Sequence, residues 1–191
     1  MKNIIIYGSG RSGKSALARI IKNKWGGHNW FPLDPLREIY DVVSDENSKN
    51  DWTTDIAVLT RKWSKIINTA ITQFAEEANR SNEFFVFEGW GIDLESLLPK
   101  IDTSKFVIIG IGYPNISTNE KLNQMLKYET TADWTKELSL QEKQRIVEYL
   151  CDEDKYIKAQ IDKFKIPFFD TSFEREKVYD EIMDYLEKRL K

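Results

Sequence analysis

Apolar residues run along this chain in two rhythms. Short β-branched or aromatic runs, each ended by glycine or a polar turn, alternate with longer stretches whose apolar positions recur every three or four residues. Asn3-Ile4-Ile5-Ile6-Tyr7 is of the first kind and, closed by Gly8, reads as a buried strand. Ala16, Leu17, Ile20 and Ile21 then fall at helical spacing between Lys14 and about Lys24, and Gly26-Gly27 closes that helix. A second strand is expected near Asn29–Leu33, with Pro32 inside it. Residues 44–53 are polar and aperiodic, so they read as a loop. A long helix over roughly 53–80 follows, because Ile56, Leu59, Trp63, Ile66, Ala70, Phe74 and Ala78 lie at steps of three or four. Phe84–Phe87 and Phe106–Ile109 are strand-type runs, each with Gly within three residues, and Ile166–Phe169 is a fifth strand. Helices around 35–41, 118–128, 140–164 and 172–190 complete the pattern; the last three open on capping-box pairs, Ser117/Glu120, Ser139/Glu142 and Thr171/Glu174. Five strands separated by helices predict one α/β domain over 1–191, three layers around a mainly parallel sheet, with ligands at the carboxyl ends of the strands.

Composition narrows the chemistry. With 191 residues, 41% of them apolar, the chain is large enough for a real core. The single cysteine, Cys151, excludes a disulfide scaffold and a thiolate zinc site, which points to a reducing, cytoplasmic setting. Four apolar residues before Gly8 are too few for a signal peptide, and no run approaches membrane-spanning length, so no membrane partner is expected. A net charge of −3, with neither half basic, argues against a nucleic-acid partner. His28 is the only histidine, so a His-rich metal centre cannot form and a His-based triad has one candidate. Chemistry therefore falls to carboxylates, lysine, arginine, hydroxyls and backbone.

Gly8-Ser9-Gly10-Arg11-Ser12-Gly13-Lys14-Ser15 is a complete G-x-x-x-x-G-K-S between a predicted strand and a predicted helix. Its glycines let consecutive N–H groups turn inward around an anion, and the helix that follows points its positive end at the same spot. Lys14 would bridge terminal phosphates of ATP, and the Ser15 hydroxyl would ligate Mg²⁺. Arg11 stands inside the loop, facing either phosphate or solvent. Other nucleotide-binding classes fit poorly. There is no Asn-Lys-x-Asp guanine reader, and Leu138-Ser139-Leu140-Gln141 lacks the glycines of a transporter-type signature. Nor does Phe84–Phe87 end in the acidic pair of a RecA-like motor.

The phosphate loop, Asp34-Pro35-Leu36-Arg37 after the second strand, Glu88-Gly89 after the third, and Phe168-Phe169-Asp170-Thr171-Ser172 near the end together resemble the P-loop small-molecule kinases, the superfamily of adenylate kinase and shikimate kinase. That resemblance implies a sheet order of 2-3-1-4-5, an acceptor-site insert at about 35–80 and a helical lid at about 112–145 between strands four and five. It also implies roles. Asp34 would hold or deprotonate an attacking hydroxyl, or else cap a short helix with Pro35 as its first residue. Arg37 would meet a phosphate or carboxylate of the acceptor, or else stand solvated on its helix, and Glu88 would organise the metal with Ser15. Trp90, with Asp93 on the same loop, either stacks on the substrate or covers the core edge. Asp170-Thr171-Ser172 would lie beside the adenine, or Thr171 would cap a helix. The lid departs from the family's pattern, since residues 112–144 carry lysines and no arginine; Lys127 or Arg145 would have to contact phosphate. The function implied is ATP- and Mg²⁺-dependent phosphoryl transfer to a small acceptor. The alternative is a nucleotide-binding switch or slow NTPase without an acceptor. A polynucleotide 5′-hydroxyl kinase is disfavoured by the acidic balance.

Overall fold

The sheet grows outward from its most apolar strand. In a computed structural model, which describes every residue except 27, 28, 45–51, 132 and 191, β1 (Asn3–Gly8) is buried along its whole length. It is flanked by β3 (Val86–Gly89) and β4 (Phe106–Gly112), with β2 (Trp30–Pro32) outside β3 and β5 (Phe168–Asp170) outside β4. The order β2-β3-β1-β4-β5 is the expected one, and every pairing is parallel. Pro32 is tolerated because β2 is a three-residue edge strand.

Side chains alternate across β1, and each face recruits its own helical layer. Ile5, Tyr7 and Phe87 pack with Trp63, Ile67 and Ile71 of α3 (Ile56–Ser81) and Ile157 and Ile161 of α6 (Leu140–Lys163). Ile4 and Ile6 pack with Leu17 and Ile21 of α1 (Lys14–Trp25) and Ile182 and Leu186 of α7 (Arg175–Glu187). Each such buried side chain contributes about 1.5–3 kcal/mol, which is why the sheet cannot slip register without turning one core to solvent. Three further helices are α2 (Asp34–Val43), the short α4 (Leu94–Leu97) and α5 (Thr118–Tyr128). Between β4 and β5, α5 and α6 form the helical lid around Tyr113, Met125, Val147 and Cys151. Among the described residues, no helix is long and apolar enough to cross a membrane.

Several expectations need correcting. The capping boxes at Ser117 and Ser139 form in full, but the third does not. The N-cap of α7 is Glu174, left-handed at φ 45, and Thr171 Oγ1 instead donates to the carbonyls of Ser12 and Gly112 at 3.0 Å each. Those buried carbonyls lie beside Thr171 at the end of β5, ahead of the helix it was expected to cap. The third strand starts at Val86, later than Phe84, because Asn3 Oδ1 accepts the Phe85 N–H, and it runs on through Glu88 and Gly89. The fifth starts at Phe168, after Pro167, since the Ile166 N–H is used on Ile161 O to close α6. Asp34 does not cap α2; it is the first helical residue, after Leu33. Gly26 closes α1 in the left-handed region at φ 70, as expected, whereas Gly27, His28 and most of the 44–53 loop lie outside the described residues.

Candidate active site

The phosphate loop leaves β1 at Gly8 and enters α1 at Lys14, and its carbonyls are all held from outside. Ser9 O accepts from Lys14 Nζ at 2.7 Å, Gly10 O from the Tyr113 hydroxyl at 2.5 Å, and Arg11 O from Lys121 Nζ at 3.1 Å and Arg175 Nη2 at 3.5 Å. Ser12 O accepts from Thr171 Oγ1 at 3.0 Å and Gly13 O from Tyr179 Oη at 2.9 Å. With five consecutive carbonyls clasped, the shape of the loop is fixed before any anion arrives. Gly13 has φ 96, and a side chain there would collide with the Tyr179 hydroxyl. No side chain caps α1, so its positive end faces the cleft. The cleft, about 1140 Å³, is lined at this end by Gly10, Arg11, Gly13, Lys14 and Ser15.

Glu88 sits in β3, paired in register with Ile6, and its Oε1 accepts from Ser15 Oγ at 3.0 Å. Burial raises its pKa, against the pull of Lys14, while Asp34 adds to the rise. Its Oε2 is buried and lacks a hydrogen-bond partner; the Trp30 indole lies near enough to favour the charged form but outside bonding geometry. An orphaned carboxylate oxygen beside a serine hydroxyl suits a hard cation. Among the described residues no group of three or more His, Cys, Asp or Glu is gathered for a metal.

At the other end of the cleft, Asp34 Oδ1 accepts from the Trp90 N–H at 3.3 Å and pairs with Arg37 Nη2 at 3.3 Å. The Arg37 guanidinium lies 5.3 Å from the Trp63 ring and 5.2 Å from Trp90, which meet edge to face at 5.1 Å. Trp90 is buried and supports Arg37, while still contributing to the cleft wall. Asp93 does not join it: its side chain caps α4 by accepting from the Glu95 N–H at 3.1 Å. Asp170 Oδ1 accepts from the Ser172 N–H at 2.8 Å and from the Ser172 hydroxyl, and neither residue lines the cleft.

The lid supplies different residues from those expected. Lys127 and Arg145 are exposed and do not line the cleft. Lys121 of α5 does, and so does Arg175, which lies outside the lid as the first residue of α7. Lys121, 2% exposed, lies 3.1 Å above the Tyr113 ring; burial, reinforced by Arg175, pulls its pKa down to about 6. Arg11, left-handed at φ 61, pairs with Asp133 of the lid loop at 2.6 Å. Sequence reading also passed over two carboxylates on α6. Asp154 accepts from Ser9 Oγ at 2.5 Å and from the Tyr113 N–H at 2.8 Å, with burial raising its pKa to about 6. Gly112 makes room for it, since a side chain there would collide with that carboxylate. Glu153 accepts from the Gly10 N–H at 2.7 Å, with burial raising its pKa to about 7. The signal was available in the pattern. Leu150, Glu153, Asp154, Ile157 and Ile161 follow steps of three and four, so both acids stand on the apolar stripe of a helix, where a charge is costly without a partner.

No protein-family model matches the sequence, and no curated protein sequence matches it either. Solved structures do. A gluconokinase from Sinorhizobium meliloti 1021 aligns with a TM-score of 0.61 and 12% identity, over 98% of this chain and 92% of that one. A deoxyadenosine kinase from M. mycoides, solved with bound dATP, aligns at 0.52 and 15% over 97% and 99%. A dephospho-CoA kinase from Campylobacter jejuni aligns at 0.50 and 14% over 97% and 96%. All three are P-loop small-molecule kinases, and the chain has the fold they share over nearly its full length.

Proposed function

We propose that the chain is an ATP- and Mg²⁺-dependent kinase that transfers the γ-phosphoryl group to a small-molecule acceptor. The observation that carries this reading is convergence: Gly10, Arg11, Gly13, Lys14 and Ser15 of the loop line the same cleft as Asp34 and Arg37, and Glu88 stands behind Ser15, accepting its hydroxyl. The loop N–H groups and Lys14 hold the phosphates and stabilise charge on the transferring group. Ser15 and Glu88 would hold Mg²⁺, which would neutralise phosphate charge. Asp34 orients the acceptor hydroxyl and takes its proton as the new O–P bond forms and the bond to the β-phosphate oxygen breaks. Arg37, steadied by Trp63 and Trp90, pairs with an anionic group on the acceptor. The kinase names of the structural neighbours support phosphoryl transfer in general and leave the acceptor open.

Incubation with γ-labelled ATP and panels of nucleosides, nucleotides, sugar acids and polyols should give label transfer to one class. Silence across all four would sink the kinase reading. The absence of arginine from residues 112–144 favours a second reading, a nucleotide-binding switch. It predicts tight nucleotide binding, slow transfer to water and a partner retained only in the ATP state.

A further inference from the structure

Glu153 has a position that the proposed reaction leaves unused. It is 4% exposed, yet it lines the cleft, and its Oε2 occupies the N–H of Gly10, one of the donors of the anion-binding loop. A carboxylate there stands where an anion is meant to go. The charges that reach it come from both ends of the cleft: Lys14 at the phosphate end, Arg37 and Asp34 at the acceptor end. The remaining titratable groups around it are the Tyr7 hydroxyl of β1 and Tyr113 after β4, both neutral because burial holds their pKa high. On its own helix Asp154 is turned to Ser9 and Tyr113, and from α5 Lys121 acts on Asp154. Glu153 thus lies beside the loop and within electrostatic reach of the Asp34–Arg37 pair.

We propose that Glu153 is a γ-phosphoryl ligand that works as the neutral acid: on nucleoside triphosphate binding it yields the Gly10 N–H and turns its own O–H to a terminal phosphate oxygen. The proton comes from solvent, so binding takes up one proton and favours triphosphate over diphosphate. This inference rests on the nucleotide-binding reading above. A carboxylate beside a terminal phosphate would repel it, whereas the acid donates a hydrogen bond. Burial has already brought the carboxyl to half-protonation at about pH 7, so little is needed to complete the change.

Calorimetric titration of the intact chain with MgATP and with MgADP at pH 7.5, each in two buffers of different ionisation enthalpy, tests this. Uptake of up to about three quarters of a proton is expected for MgATP and close to none for MgADP. The Kd for MgATP should rise up to about tenfold per pH unit above 7, while that for MgADP stays flat. Glu153→Gln keeps an oxygen to accept the Gly10 N–H and an N–H to donate, so it should abolish the uptake and flatten the MgATP profile. Equal uptake for both nucleotides, no uptake for either, or uptake that persists in a folded Glu153→Gln protein would overturn the proposal. If the variant fails to fold, the wild-type comparison of MgATP with MgADP decides alone. A wild-type chain that binds neither nucleotide would overturn the nucleotide reading itself, a separate and recognisable result.

Discussion

The two ends of the cleft are built in opposite ways. The phosphate end is eight consecutive residues between a strand paired on both sides and the helix that follows it. The opposite wall is assembled from α2, α3, α5, α6 and the lid loop, so Asp34, Trp63, Lys121, Asp133 and Glu153 meet only when the whole chain is folded. Yet the second set leans on the first. Glu153, Asp154 and Lys121 are titratable groups in buried positions, and the loop supplies partners to each through Gly10 N–H, Ser9 Oγ and Arg11 O. A short loop rich in backbone donors and acceptors thus meets part of the desolvation cost of distant side chains, which in turn fix its shape.

Disabling one end while leaving the other folded puts that division to its strongest test. Lys14→Ala should lower ATP turnover about 10²–10³-fold, the scale of losing one preorganised charged donor. The same change removes a single hydrogen bond to Ser9 O and should cost only about 1 kcal/mol of stability. Turnover assays paired with thermal unfolding check both. If activity and stability fall by matching amounts, Lys14 is a structural clasp and the phosphate end has been misread.

How much of this was legible in the sequence follows from the same contrast. Gly8–Ser15 could be read because its parts are contiguous and its mechanism needs only a strand before and a helix after. Glu88 and Asp34 could be found as carboxylates near strand ends, although β3 runs two residues further than its apolar run suggests. The lid cations could not be picked by counting lysines between 112 and 144. Lys121 is separated from Lys127 by which face of α5 it occupies: Lys121 shares the buried side with Met125, and Lys127 does not. Arg175 was hidden differently, as the first residue of a helix whose expected cap, Thr171, is used on the loop carbonyls instead.

A titration sharpens the comparison at the lid. Folded Lys121 loses its proton at about 6 and an unfolded lysine at 10.5, so between these values the unfolded chain binds one more proton. Its contribution to stability is therefore lost as pH falls through about 6 and grows above it, by up to about 1.4 kcal/mol per pH unit. Met at 121 keeps most of the volume without the titration. The unfolding free energy of wild type minus that of Lys121→Met should climb by about 2 kcal/mol between pH 6 and 7.5, measured by denaturant titration. Glu153 and Asp154 have the opposite sign. Their raised values, about 7 and about 6, mean that the folded chain holds the extra protons, so their contribution is present in acid and is lost as pH rises through those values. A difference that stays flat across the range would mean that Lys121 remains charged in the fold and that the clasp on Arg11 O is a charge-assisted hydrogen bond.

The smallest effect lies where the lid loop meets the chain just ahead of α3. Trp134, 53% exposed, stacks on Trp52 with ring centres 5.3 Å apart and planes 7° from parallel, and Trp52 in turn meets Tyr149 of α6 edge-on at 5.5 Å. A stacked pair of this kind contributes about 0.5–1.5 kcal/mol, toward the lower end where water reaches one face. Both rings line the cleft, far in sequence from the Gly8–Ser15 loop. Trp134→Ala should therefore lower the unfolding midpoint by about 2–4 °C and raise the KM for the acceptor, with the Kd for MgATP nearly unchanged. The split between those two constants is the informative reading. A nucleotide Kd that moves as far as the acceptor KM would show that lid closure couples both ends, through the ion pair of Asp133, the neighbour of Trp134, with Arg11 of the phosphate loop. The two ends would then be independent in construction but not in operation.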